Sequence, residues 1–148
     1  MTSFMAQAIA EAERAGARGE VPVGAVLVAA ASGRVLAASG NRTRELGDPT
    51  AHAEMMVIRA VRRGPLDRCD LYVSLEPCAM CAAAISLARI RRLYFGAYDP
   101  KGGAVDHGPR WFEQATCLHR PEVYGGIEER RAGALLRRFF AALRQGAP

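Results

Sequence analysis

The chain has 148 residues, half of them hydrophobic, and a formal net charge of +5 at pH 7. That length and apolar share suit a single domain over residues 1–148 built on one core. No stretch approaches the ~20 apolar residues a membrane span needs, and Glu11 and Glu13 stand where a secretion signal would be apolar, so a cytoplasmic protein with no membrane attachment is expected. Lys101 is the only lysine beside a large excess of arginine. The basic balance fits either a polyanionic partner or a plain bias in residue usage.

Ser3 can cap a first helix running to about Ala15, closed by the glycine-containing stretch 16–19. Val23 to Ala29 is an apolar run suited to a buried strand, and Gly33-Arg34 turns it into a hairpin partner over 35–39. A loop rich in turn residues follows, from Gly40 to Pro49. His52 to Arg63 reads as a helix with Met56, Val57, Ala60 and Val61 on its apolar side. Leu71–Ser74 is the next strand, Ala79–Arg89 the next helix, and Leu93–Ala97 a further strand. The last helix is expected from Ile127 to about Arg144, with Leu135, Phe139 and Leu143 at four-residue spacing. Such alternation of helix and strand predicts an α/β fold with helices on both faces of a sheet, a three-layer α/β/α sandwich.

Two segments carry chemistry. Pro49-Thr-Ala-His52-Ala-Glu54 and Glu76-Pro77-Cys78-Ala-Met-Cys81 both fall at loop-to-helix junctions. His52, Cys78 and Cys81 offer three zinc ligands and leave one position open, which suits a catalytic ion better than a structural one. Pro77 fits a helix start, and the positive end of that helix favours the thiolates that bind metal. Glu54 is two residues from His52 and free to accept and deliver a proton. Separately, Cys-x-x-Cys could be a redox pair or half of a structural zinc knuckle, with Cys69, His107, Cys117 or His119 as a fourth ligand. Cys69 and Cys117 are expected as small core residues, His107 and His119 as polar loop residues.

The His-x-Glu and Pro-Cys-x-x-Cys pair resembles the signature of the cytidine deaminase-like zinc deaminases. Glu20-Val-Pro-Val-Gly-Ala-Val, Gly40-Asn41-Arg42, the stretch from Arg89 to Ala104 and Ala134 to Phe140 extend the likeness over nearly the whole chain, to the bacterial tRNA-specific adenosine deaminases. The resemblance implies a central mixed sheet, a homodimer, one zinc ion per subunit, and wobble adenosine of a tRNA anticodon stem-loop as substrate, converted to inosine. It further implies that Asn41 and the backbone N–H of Ala53 hold the base, and that Asp99 and Lys101 lie near the flipped nucleotides. Arg137, Arg138 and Phe140 are weaker RNA candidates. Asn41 could instead shape a turn, Asp99-Pro-Lys an ordinary loop, and the alanine-rich 79–88 helix either an interface or an internal contact. The stretch Asp106–Phe112 departs from the familiar family pattern, with Trp111 either stacking on a base or packing inward. Two other functions stay open at this stage: a deaminase of free guanine, cytosine or a nucleoside, and a zinc-stabilised binding module.

Overall fold

The computed structural model describes residues 2–62 and 65–146. Five strands form one mixed sheet in the order β2-β1-β3-β4-β5. Strand β1 (Gly24–Ala29) pairs antiparallel with β2 (Val35–Gly40) and with β3 (Cys69–Leu75). Strands β4 (Arg92–Ala97) and β5 (Glu122–Tyr124) continue the sheet in parallel.

Alternation along each strand sorts its side chains to two faces. Ala25, Leu27, Leu71, Val73, Leu93 and Phe95, all fully buried, form one core with Val57 of α3 (Ala53–Ala60) and Ala82 and Ile85 of α4 (Ala79–Leu87). Val26 and Val28 face the other way, against Met5, Ala8 and Ile9 of α1 (Phe4–Ala17) and Ala132 of α5 (Glu129–Arg144). Each large apolar side chain so buried contributes roughly 1.5–3 kcal/mol. On this second face Tyr72, Tyr94 and Tyr124 stand in register, with ring centroids 4.4 and 5.0 Å apart. The result is the α/β/α sandwich that alternation predicted, and its central sheet is mixed, as the family resemblance implied.

Helix α1 is amphipathic as its sequence demands: Met5, Ala8, Ile9, Ala12 and Ala15 are buried and recur every three or four residues. Ser3 caps it, its hydroxyl accepting from Ala6 N at 3.0 Å. A Cβ on Gly24 would overlap Ala8 O, so this glycine lets α1 settle directly on β1.

Boundaries differ from expectation for local reasons. Helix α1 runs two residues further, to Ala17. Helix α3 ends at Ala60, where Val61 turns extended; the predicted end at Arg63 lies outside the described residues. Helix α4 stops at Leu87 because Arg89 takes φ 65°, and α5 begins at Glu129, not Ile127, because Glu128 sits at φ 54°. Three elements were not anticipated: α2 (Thr43–Leu46), β5, and a 3-10 turn over Trp111–Glu113. Cys69 is buried and Cys117 packs partly buried against the core, as expected of both. Among the described residues, no helix is long and apolar enough to cross a membrane.

Candidate active site

Two helix N-termini meet over the end of β3. His52 is the N-cap residue of α3 and Cys78 that of α4, both with extended backbone, and neither side chain makes a capping hydrogen bond. Both are therefore free to point at a common centre. Cys81, in the first turn of α4, is fully buried and joins them. Pro77 precedes the cap instead of opening the helix, and Glu76 stands just past the end of β3.

The three ligand atoms lie within 4.8 Å of one another, and among the described residues they are the only such metal-type group. His52 Nδ1 is 3.6 Å from Cys78 Sγ and 3.5 Å from Cys81 Sγ. Tetrahedral zinc bonds of ~2.3 Å to sulfur and ~2.0–2.1 Å to nitrogen place those atoms about 3.5–3.6 Å apart, so the residues fit the ion as they stand. Without a cation the two sulfurs cannot both be anions. The neighbouring Cys81 thiol and then His52 hold Cys78 down to about 4, while Cys81, beside Cys78 and buried, is pushed up. A divalent cation removes that conflict. His107 and His119 stand apart from this group. His107 Nδ1 pairs with Glu76 Oε1 at 2.8 Å, and His119 Nε2 donates to Ile90 O at 2.7 Å.

Glu54 lies in the first turn of α3 and is buried, which pushes its carboxyl up to about 7. With His52 and Cys78 it borders a cavity of about 290 Å³, also lined by Asn41, Thr43, Asp99 and Gly102. A carboxyl poised near neutrality beside a metal site is matched to both accepting and returning a proton. Asn41 is 8 % exposed and its Oδ1 accepts from Ala53 N at 2.8 Å. The Ala53 N–H, expected to face the base directly, is thus occupied by Asn41, and the Asn41 Nδ2 is the donor turned loose for a ligand.

Asp99 Oδ1 accepts from Lys101 N at 3.2 Å and Gly102 N at 3.0 Å, so its side chain shapes the turn that sequence offered as the plain alternative. The same turn walls the cavity. Asp99 and Gly102 also border a neighbouring groove of about 930 Å³ that shares Val21 and Leu75 with the first. Lys101, Arg137, Arg144 and Phe140, the last 42 % exposed, line that groove. Arg138 lies instead with Phe139 beside Gly16 and Pro22, off this groove. Trp111 packs against the core.

Sequence reasoning passed over Glu76. It is 2 % exposed and accepts from Asp99 N, Val105 N, Asp106 N, His107 N and His107 Nδ1, at 2.8–3.2 Å. Burial alone would raise its pKa, yet these donors hold it below the usual carboxylate value. The only sequence signal was an acid at the end of an apolar strand.

Residues 1–97 match the family described as the cytidine and deoxycytidylate deaminase zinc-binding region. The chain is 61% identical over 143 residues to a tRNA-specific adenosine deaminase of Agrobacterium fabrum, covering 94% of this chain and 93% of that one. It is 42% identical over 144 residues to the enzyme of the same description from Rickettsia bellii, covering 95% and 99%. A solved structure from a study of A-to-I editing by tRNA:A34 deaminases at the wobble position of transfer RNA superposes with a TM-score of 0.84 at 60% identity, over 90% of this chain and 98% of that one.

Proposed function

We propose that this chain, which belongs to the cytidine and deoxycytidylate deaminase zinc-binding family and within it to the tRNA-specific adenosine deaminases, converts adenosine to inosine at the wobble position of a tRNA anticodon by hydrolytic deamination. The carrying observation is the groove edged by Lys101, Arg137 and Arg144 that shares a wall with the Glu54 cavity. A pocket for a free base has no use for such a flank, whereas a base splayed from an RNA loop brings phosphates that need it.

His52, Cys78 and Cys81 would hold zinc, one ion per subunit, which supplies the Lewis acidity that makes water nucleophilic near neutral pH. Glu54 takes a proton from the attacking water and delivers it to N1 of the adenine, so that C6 accepts the new C–O bond. Glu54 then takes the second proton from the new C6 hydroxyl and passes it to the amino group, so that the C–N bond breaks as the C6 carbonyl forms, ammonia leaves and inosine remains. Asn41 Nδ2 donates to the base, and Ala53 serves by fixing the orientation of the Asn41 amide. Asp99 and Lys101 shape and charge the mouth through which the nucleotide enters.

The whole of residues 1–148 acts as one deaminase domain, in the cytoplasm, where its tRNA substrate resides. Two such chains form the active particle: Leu87 and Leu118, each 83 % exposed near the alanine-rich α4, are an apolar surface suited to a second copy. Sedimentation of the zinc-loaded protein reads the dimer directly.

A deamination panel tests the activity. A stem-loop bearing wobble adenosine is expected to release ammonia, with free adenosine reacting poorly. Faster turnover of free guanine or cytosine than of the stem-loop would replace this reading with a free-base deaminase.

A further inference from the structure

We infer that His107 is a positioning residue for the substrate, which by donating from Nδ1 to the buried Glu76 fixes the 99–107 turn that walls the base cavity. It lies in the stretch Asp106–Phe112, and the deamination steps make no use of it.

The connection runs through one carboxylate. Glu76 follows the end of β3, two residues before Cys78, and its side chain is 0 % exposed. Oε1 takes Asp99 N at 2.9 Å and His107 Nδ1 at 2.8 Å; Oε2 takes the backbone N–H groups of Val105, Asp106 and His107. A carboxylate only accepts, so Nδ1 carries the proton. Of the donors, His107 Nδ1 alone is a side chain, so it is the one that a substitution can change without moving the main chain.

Asp99 and His107 therefore share a single oxygen across the turn. Pro77 O accepts from Ala104 N at 2.9 Å and Asp99 O from Gly103 N at 2.9 Å, closing the same loop. Gly103 shows how closely the chain presses: a Cβ there would lie 2.5 Å from the Glu76 carboxyl carbon. The His107 ring also meets Tyr98 edge-on, with centroids 6.1 Å apart. With the imidazole gone, Oε1 keeps one donor in a buried place, and the Asp99 amide loses the partner that holds that oxygen still. Asp99 and Gly102 border both the cavity and the groove, so slack at this oxygen displaces the wall the nucleotide passes and leaves the zinc ligands where they are.

His107 is 33 % exposed, so substitution does not open the core. The test compares zinc-loaded wild type, His107→Leu, which removes the donor, and His107→Asn, whose amide nitrogen can stand in for Nδ1. Hydrogen exchange at the Asp99 amide and steady-state kinetics on a wobble-adenosine stem-loop are measured, with zinc content as control. For His107→Leu the expected result is roughly tenfold faster exchange and roughly tenfold higher KM, with kcat within about twofold and zinc unchanged. His107→Asn restores both. Wild-type exchange and KM in His107→Leu overturn the inference, as does failure of His107→Asn to restore them. The kinetic arm rests on the proposed activity. Wild type inert on every stem-loop refutes that activity, and exchange then decides the role of His107 alone; should His107→Leu lose zinc or unfold, exchange in His107→Asn decides it.

Discussion

Asn41 Oδ1 accepts a hydrogen bond from the backbone N–H of Ala53 at 2.8 Å, tying the end of the β1–β2 hairpin to the first residue of the helix that carries Glu54. One orphan N–H at that helix start is thereby satisfied, and the amide is oriented with Nδ2 left as the free donor.

Asn41→Asp keeps the acceptor for Ala53 and deletes the donor. Its kcat/KM on the stem-loop is expected to fall by roughly tenfold to a hundredfold, the worth of one buried hydrogen bond to the transition state, with fold and zinc content kept. Wild-type activity in this variant would exclude Nδ2 from base recognition.

Glu54→Gln separates proton transfer from binding. The substitution preserves shape in a site where the carboxyl is buried and already pushed up to about 7. A loss of roughly 10²–10⁴ in kcat is expected with KM and bound zinc near wild type. Full deamination by Glu54→Gln would falsify the shuttle, and unchanged turnover together with lost stability would leave the residue a structural part only.

What could be read from the sequence was whatever is local. Ser3 caps α1 through its own hydroxyl, and His52, Cys78 and Cys81 sit at or just inside helix N-termini that their neighbours specify. What could not be read is held from far away in the chain. Helix α2 is a single turn whose free N–H groups are met by Glu20, more than twenty residues earlier. Strand β5 has only three residues, placed by parallel pairing with β4 and by the Arg92–Glu122 ion pair, so it carries no run of β-formers to announce it. Glu76 looked like a strand-end acid because its donors come from residues 99 to 107, which only the fold brings to it.

Glu20 gives the pH dependence a defined sign. It is 1 % exposed, and burial alone would raise its pKa, but Glu45 N, Arg44 N and Thr43 Oγ1 donate to it and hold it below the ordinary value. A carboxylate depressed in the folded state adds stability above its unfolded pKa of ~4.3, lost as pH falls through the lower folded value. Urea melts of wild type and Glu20→Gln should therefore differ by about 1–3 kcal/mol at pH 7 and converge in acid. Zinc content read on both proteins at each pH separates metal loss from the contribution of this group; a gap independent of pH contradicts the assignment.

Lys101 and Arg138 make a matched pair for the RNA groove, because both are exposed cations and only the first lines it. If Lys101 meets a phosphate of the splayed loop, binding by Lys101→Ala weakens most at low salt. The slope of log Kobs against log salt becomes shallower by about 0.7, one single-strand phosphate contact. The affinities of the two proteins approach one another as salt rises, since counterion release was the whole of the lost interaction. Arg138→Ala, with its charge beside Gly16 and Pro22, should keep the wild-type slope. Equal slope changes in the two variants would mean that the net charge of +5, and not the groove, draws the RNA.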